Sequence, residues 1–181
     1  MERERKNIIL IVDDNPTNLG ALFKFLSDSG FKVLVAVDGE SAIEQIEYVR
    51  PDLILLDVMM PGIDGFETCR RLKANSKMQD IPVIFLTALS DTVDKVKGFS
   101  IGGVDYMTKP VNQEEILSRI KTHLTISSLQ SQLQQKNQEL FNINQNLEQL
   151  VEQKTQQLIE QEIIMHNYLL ILCLLYIRSK F

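Results

Sequence analysis

Cysteine is scarce in this chain of 181 residues. The two present, Cys69 and Cys173, lie far apart and in unlike surroundings, so neither a disulfide framework nor a zinc cluster follows from them. A reducing, cytoplasmic compartment suits such a sequence. An excess of positive charge is also missing. The 19 Lys and Arg against 24 Asp and Glu give a formal net charge of −5. That balance argues against holding nucleic acid by bulk electrostatics, and no direct nucleic-acid binding is expected. Met1 to Asn7 is polar and charged, with only five apolar residues before two aspartates, so it does not read as a secretory signal. No P-loop, zinc motif or helix-turn-helix of adequate length occurs. Glycine and proline are absent from residues 124–162.

What is present falls into two styles. Residues 1–122 alternate between short apolar runs and segments of helical spacing. The runs are Ile8–Val12, Lys32–Ala36, Leu53–Leu56, Pro82–Leu86 and a weaker Val104–Thr108. They read as strands buried on both faces, as in a parallel sheet. Between them Leu19, Leu22, Phe23 and Leu26 share a helical face that ends at Ser29-Gly30. Ala42, Ile43, Ile46 and Val49 do the same before Pro51. Phe66, Cys69, Arg70 and Leu72 follow Gly65; Val93, Val96 and Phe99 precede Gly102-Gly103; Ile116, Leu117 and Ile120 form a last helix. Five strand–helix repeats predict an α/β fold, a five-stranded doubly wound parallel sheet of flavodoxin-like type. Right-handed crossovers favour the strand order 2-1-3-4-5.

In such sheets ligands bind at the carboxyl ends of the strands, near the switch in strand order. Strand one ends at Asp13-Asp14, strand three at Asp57, strand four at Thr87-Ala88, and strand five runs into Lys109-Pro110. Clustered carboxylates raise one another's pKa unless a cation is near, and a small hard divalent ion such as Mg²⁺ is the simple remedy. A carboxylate so placed can act as a nucleophile and form an aspartyl phosphate. Lys109 would then meet one phosphoryl oxygen and Thr87 another, while the small Ala88 leaves room for the incoming group. Taken singly each residue has a plainer role. Asp14 or Asn15 suits a helix cap before Pro16, Thr87 a strand-end hydroxyl and Lys109 a solvated charge. All of them together at the right strand ends make the signal.

The text around these positions resembles the receiver domain of two-component response regulators. The matching segments are Ile11-Val12-Asp13-Asp14-Asn15, Leu55 to Gly65, Phe85-Leu86-Thr87-Ala88 and Gly102 to Pro110. The resemblance covers residues 7–122. It implies that Asp57 accepts a phosphoryl group from a sensor histidine kinase or phosphotransfer protein. It implies that Asp14 and Asp57 ligate Mg²⁺ directly, that Asp13 acts through water, and that the Met59 backbone carbonyl completes the set. A cis Lys109–Pro110 bond would place the ammonium. Thr87 and Tyr106 would form the switch, repacking the face made by the fourth helix, fifth strand and fifth helix. The chain is then no turnover enzyme but a phospho-acceptor that assists its own phosphorylation and dephosphorylation. A phosphatase using the same nucleophile is disfavoured, because Met59 stands where its second acid belongs. Met59 and Leu89 flank the site and bear on water access.

Residues 123–162 differ in kind. Residues 124–162 hold eleven Gln and four Asn. Ile126, Leu129, Leu133, Leu140, Ile143, Leu147 and Leu150 recur at intervals of 3, 4, 7, 3, 4 and 3, with Lys136 at the one polar position. That is a heptad seam and predicts a coiled-coil helix that makes a homodimer; the seam then shifts phase to Val151, Leu158 and Met165, a stutter. A solvated helix or a Gln-rich linker is the plainer reading. The last helix of the receiver would continue into this segment and carry its switch as a change of register or twist. Residues 163–181 form an apolar tail whose Ile163–Ile177 stretch would span roughly 22 Å as helix, short of a ~30 Å hydrocarbon core. Membrane contact by the tail is therefore not the favoured reading. Cys69 is expected in the core and His123 at the surface or a helix end; His166 lacks the surroundings of a phosphodonor. No Gly-Gly-Asp-Glu-Phe cyclase signature is present. The alternative to a response regulator is the truncated N-terminal regulatory part of a larger hybrid histidine kinase or cyclase.

Overall fold

The structure, a computed structural model, describes residues 6–88 and 98–178. The order of elements is β1 (Ile8–Val12), α1 (Pro16–Asp28), β2 (Lys32–Ala36), α2 (Gly39–Tyr48), β3 (Leu53–Asp57), α3 (Gly65–Ala74), β4 (Val83–Thr87), β5 (Asp105–Thr108) and α4 (Gln113–Arg178). The strands form one sheet in the order β2-β1-β3-β4-β5, all pairs parallel, as the repeat pattern predicted.

The strands read as unbroken apolar runs because both faces of the sheet are covered. Leu10, Val12, Ile54, Leu56, Val83 and Phe85 pack with Ala42, Ile46, Phe66, Cys69 and Leu72 of α2 and α3. The alternate residues Ile9, Ile11, Leu53, Leu55, Ile84 and Leu86 pack with Leu19 and Leu26 of α1 and Ile116 and Ile120 of α4. Each helix starts where a polar side chain takes an orphan N–H. Asn15 accepts from the Thr17 N–H at 2.9 Å with Pro16 following; Asp38 accepts from Ser41 and Asp64 from Glu67, each at 2.7 Å. Arg70 and Arg71 hold the Glu67 carboxyl down at about 2.

Several details depart from expectation. β2 is one of the two edge strands, so its burial is partial and Val35 is exposed, unlike the two-sided burial expected of every run. Phe23 is exposed and Phe25 packs on the core in its stead. Arg70 does not share the buried face of α3 but pairs with Glu67 in solvent. Residues 98–100 are helical, whereas Leu89, Val93 and Val96 lie outside the described residues.

The chain divides into two compact units, Met1–Leu129 and Gln130–Phe181. In the second, the seam residues Leu133, Leu140, Ile143, Leu147 and Leu150 are all exposed on helix α4, from 51% to 62%. The heptad expectation is met as far as a long helix. The apolar end of α4 contains an 18-residue window of mean hydropathy 1.5, none of it buried, and so has the length and composition of a membrane-crossing helix.

Candidate functional site

Parallel pairing brings the ends of β1, β3 and β4 to one edge. Val12 lies opposite Leu56, and Asp57 opposite Leu86. One residue beyond β1, Asp13 enters the space beside Asp57 with no exposed surface. A carboxylate so buried requires partners. Asp13 accepts from the Asn15 N–H at 2.9 Å, from the Asn18 amide at 3.1 Å to each oxygen, and from Lys109 Nζ at 2.7 Å. Asp57, 4% exposed, accepts from Lys109 Nζ at 2.6 Å and from the Met59 N–H at 3.3 Å. Asp14 is exposed, yet one ligand atom from each of Asp13, Asp14 and Asp57 lies within 4.8 Å of the others.

The lysine comes from a turn built for it. The Lys109–Pro110 peptide is cis, and the Lys109 N–H donates to the Thr87 carbonyl at 2.8 Å. On the other side, the start of α3 closes against the end of β3. The Gly65 N–H donates to the Val58 carbonyl at 3.0 Å, and a Cβ at Gly65 would overlap the Asp57 carbonyl oxygen. Only glycine permits that approach.

Electrostatics follow from this packing. Burial pushes the Asp57 carboxyl above the usual range, opposed by the Lys109 ammonium. Burial would lower Lys109, but the carboxylates of Asp13 and Asp57 outweigh it and keep the amine charged. Three carboxylates against one ammonium still leave the hollow negative. Clustered hard oxygen donors of this kind fit Mg²⁺, which takes one or two carboxylates and completes its shell with water.

Thr87 is 5% exposed at the end of β4. It lines a small cavity with Val58, Phe66, Phe85, Phe99 and Tyr106. The Tyr106 ring meets Phe99 edge-on, centroids 5.7 Å apart. Thus Asp13, Asp14, Asp57 and Lys109 share one hollow, while Thr87 and Tyr106 share a cavity.

Two features escaped the sequence reading. Asn18 is in none of the expectations, although it stands on the first turns of the helix that follows Asp13. His123 is not a plain surface residue: its side chain is 15% exposed and its Nε2 lies 3.1 Å from Asp105 Oδ2. Arg119 donates to both Asp105 oxygens at 2.7 and 2.8 Å. Burial would raise Asp105, but Arg119, His123 and the Tyr106 N–H together hold it below the ordinary value. The spacing of Arg119 and His123, one helical turn apart, was the available signal. Cys69 is in the core as expected, its thiol pushed by burial to about 11.

Comparison with known proteins gives consistent matches. The family described as "Response regulator receiver domain" matches residues 9–121. Among curated proteins, the chain is 42% identical over 121 residues to the alkaline phosphatase synthesis transcriptional regulatory protein PhoP of Bacillus subtilis, covering 67% of this chain and 50% of that protein. It is 43% identical over 116 residues to the DNA-binding dual master transcriptional regulator RpaA of a Synechocystis strain, covering 64% and 48%. The chain thus spans about half the length of these relatives. Among solved structures, the receiver domain of a signal transduction histidine kinase from Syntrophus aciditrophicus is similar at 39% identity and TM-score 0.62, covering 66% of this chain and 90% of that one. The BeF3-activated N-terminal receiver domain of Klebsiella pneumoniae RstA is similar at 32% identity and TM-score 0.61, covering 65% and 98%.

Proposed function

The chain belongs to the response regulator receiver domain family, and on that premise we propose that it accepts a phosphoryl group on Asp57 from a histidine kinase or phosphotransfer protein. One observation carries this reading. A single ammonium, Lys109 Nζ, bridges Asp57 and a fully buried Asp13 beside a third carboxylate. A fold spends three acids and a lysine on one hollow for chemistry rather than for stability.

In the proposed reaction an Asp57 carboxylate oxygen attacks phosphorus. The P–N bond of the donor phosphohistidine breaks, its electron pair stays on the imidazole, and the product is an acyl phosphate. Asp13, Asp14 and Asp57 would hold Mg²⁺, with the Met59 carbonyl as a further ligand. When bound, the ion supplies positive charge that offsets the phosphoryl oxygens. Lys109 leaves the carboxylates for a phosphoryl oxygen, and the Thr87 hydroxyl donates to another. Movement of Thr87 opens the cavity it shares with Tyr106, and the ring turns in to fill it. The small cavity that both residues line supports a coupling between them. The domain assists gain and loss of its own phosphoryl group and turns over no external substrate.

Residues 1–122 constitute the receiver in this reading, 123–162 a coiled coil that joins two copies, and 163–181 an apolar tail. With a net charge of −5, the chain acts on protein partners in the cytoplasm rather than on nucleic acid. Cysteines placed at Leu133 or Leu140 would crosslink two copies, and a phosphoryl mimic at Asp57 would change the pattern; an unchanged pattern removes the signalling role of the helix. The two curated relatives named above are transcriptional regulators, which favours a response regulator, although the similar Syntrophus structure is the receiver of a histidine kinase.

The test of the phospho-acceptor reading is incubation with Mg²⁺ and acetyl phosphate, followed by intact mass. One phosphoryl adduct is expected, lost in Asp57→Asn and in EDTA. An adduct that survives in Asp57→Asn overturns the assignment.

A further inference from the structure

The strongest unassigned feature is the Asn18 side chain. Its amide nitrogen lies 3.1 Å from both oxygens of Asp13. The other donors to Asp13 divide between the oxygens. The Asn15 N–H serves Oδ1 and Lys109 serves Oδ2. We infer that Asn18 is a positioning residue, which holds the Asp13 carboxylate aimed into the hollow when Lys109 leaves it for the phosphoryl group.

The inference rests on the phospho-acceptor reading, and its physics is local. The terminal torsion of an aspartate is soft, so hydrogen-bond donors must set the plane of the carboxylate. Asp13 is fully buried, so losing a donor leaves a buried oxygen short of a partner, which is costly. Once Lys109 Nζ moves, Oδ2 keeps Asn18 as its side-chain donor among the described residues. A neutral amide also suits the place better than a second cation. It orients the acid without adding positive charge to a hollow that must attract a divalent ion. Groups that orient a metal-binding carboxylate are worth about 10- to 100-fold in metal affinity.

The position makes the test clean. Asn18 is partly exposed on helix α1, where alanine is a better helix former, so Asn18→Ala keeps the fold. Asn18→Leu, branched like asparagine but without a donor, is the second variant. The full chain would be titrated with Mg²⁺ by isothermal calorimetry to give the midpoint of binding, and melted in EDTA to give its stability without the ion. Both variants should need about tenfold more Mg²⁺ for half-saturation. Adduct formation from acetyl phosphate should slow at low Mg²⁺ and recover at high Mg²⁺. A merely structural role would lower the Tm in EDTA and leave the Mg²⁺ midpoint where it was. A midpoint within twofold of the parent in both variants overturns the inference while the phospho-acceptor reading stands. A parent that takes no adduct, but whose Mg²⁺ midpoint still shifts in both variants, sinks the phospho-acceptor reading and leaves Asn18 in its positioning role.

Discussion

The two compact units use the same kinds of apolar residue to opposite ends. In Met1–Leu129, most of the described leucines and isoleucines are buried, in two clusters, one on each face of the sheet. In Gln130–Phe181 the leucines and isoleucines stand half exposed on one helix. Burial in the first unit is closed within the chain, so its polar exceptions stand out: Asp13, Asp57, Thr68 and Thr87 are the buried polar residues among those described. Three of the four sit at strand ends where the proposed chemistry occurs. The second unit has no interior of its own. Its pattern is legible as a surface that calls for a partner, and the proposed partner is a second copy of the same helix.

The contrast can be broken most directly at Leu55. It is fully buried in β3, and Leu55→Ala should cost about 2–5 kcal/mol of stability in a denaturant titration. A loss no larger than that of a surface substitution would mean the sheet is not the core. Gly65→Ala comes next. The added methyl meets backbone at Asp57 and Val58, and such overpacking costs about 1–3 kcal/mol. It should also slow adduct formation, since Asp57 must shift. In the second unit Leu140→Ser should leave the receiver's stability within about 0.5 kcal/mol, as for a surface site. It should nevertheless move the mass seen by light scattering from dimer toward monomer. A receiver that melts earlier in that variant would erase the distinction between the units.

The smallest expected effect has a sign of its own. Burial raises the folded-state pKa of Asp57, so the folded chain binds that proton more tightly than the unfolded chain. Its contribution to stability is present in acid and lost as pH rises through the raised value. In EDTA, Asp57→Asn should therefore melt above the parent at neutral pH, and the two curves should converge as pH falls below the ordinary carboxylate range. Mg²⁺ should reverse the order, because it stabilises the parent through the acid it binds. A variant less stable than the parent in EDTA at neutral pH contradicts the burial argument.

Legibility in the sequence was uneven for physical reasons. Asp13, Asp14, Asp57 and Lys109 could be placed because each follows an apolar run, and the end of a buried strand is fixed by where apolar residues stop. Asn18 could not, since a helix leaves the azimuth of a polar residue open until its neighbours are known. Phe23 is a similar case: it lies near the boundary of the buried face of α1, and it is Phe25 that packs on the core. His123 looked unpartnered because Asp105 is eighteen residues away in sequence and one side chain away in space.

The sequence by itself determined the period of every element, the parallel sheet and the rim on which the acids fall, because alternation and strand ends are properties of the chain alone. Tertiary structure alone decided which donors hold each acid and that Lys109 reaches two carboxylates at once. Those are contacts between segments up to 96 residues apart, and only packing in three dimensions sets their distances.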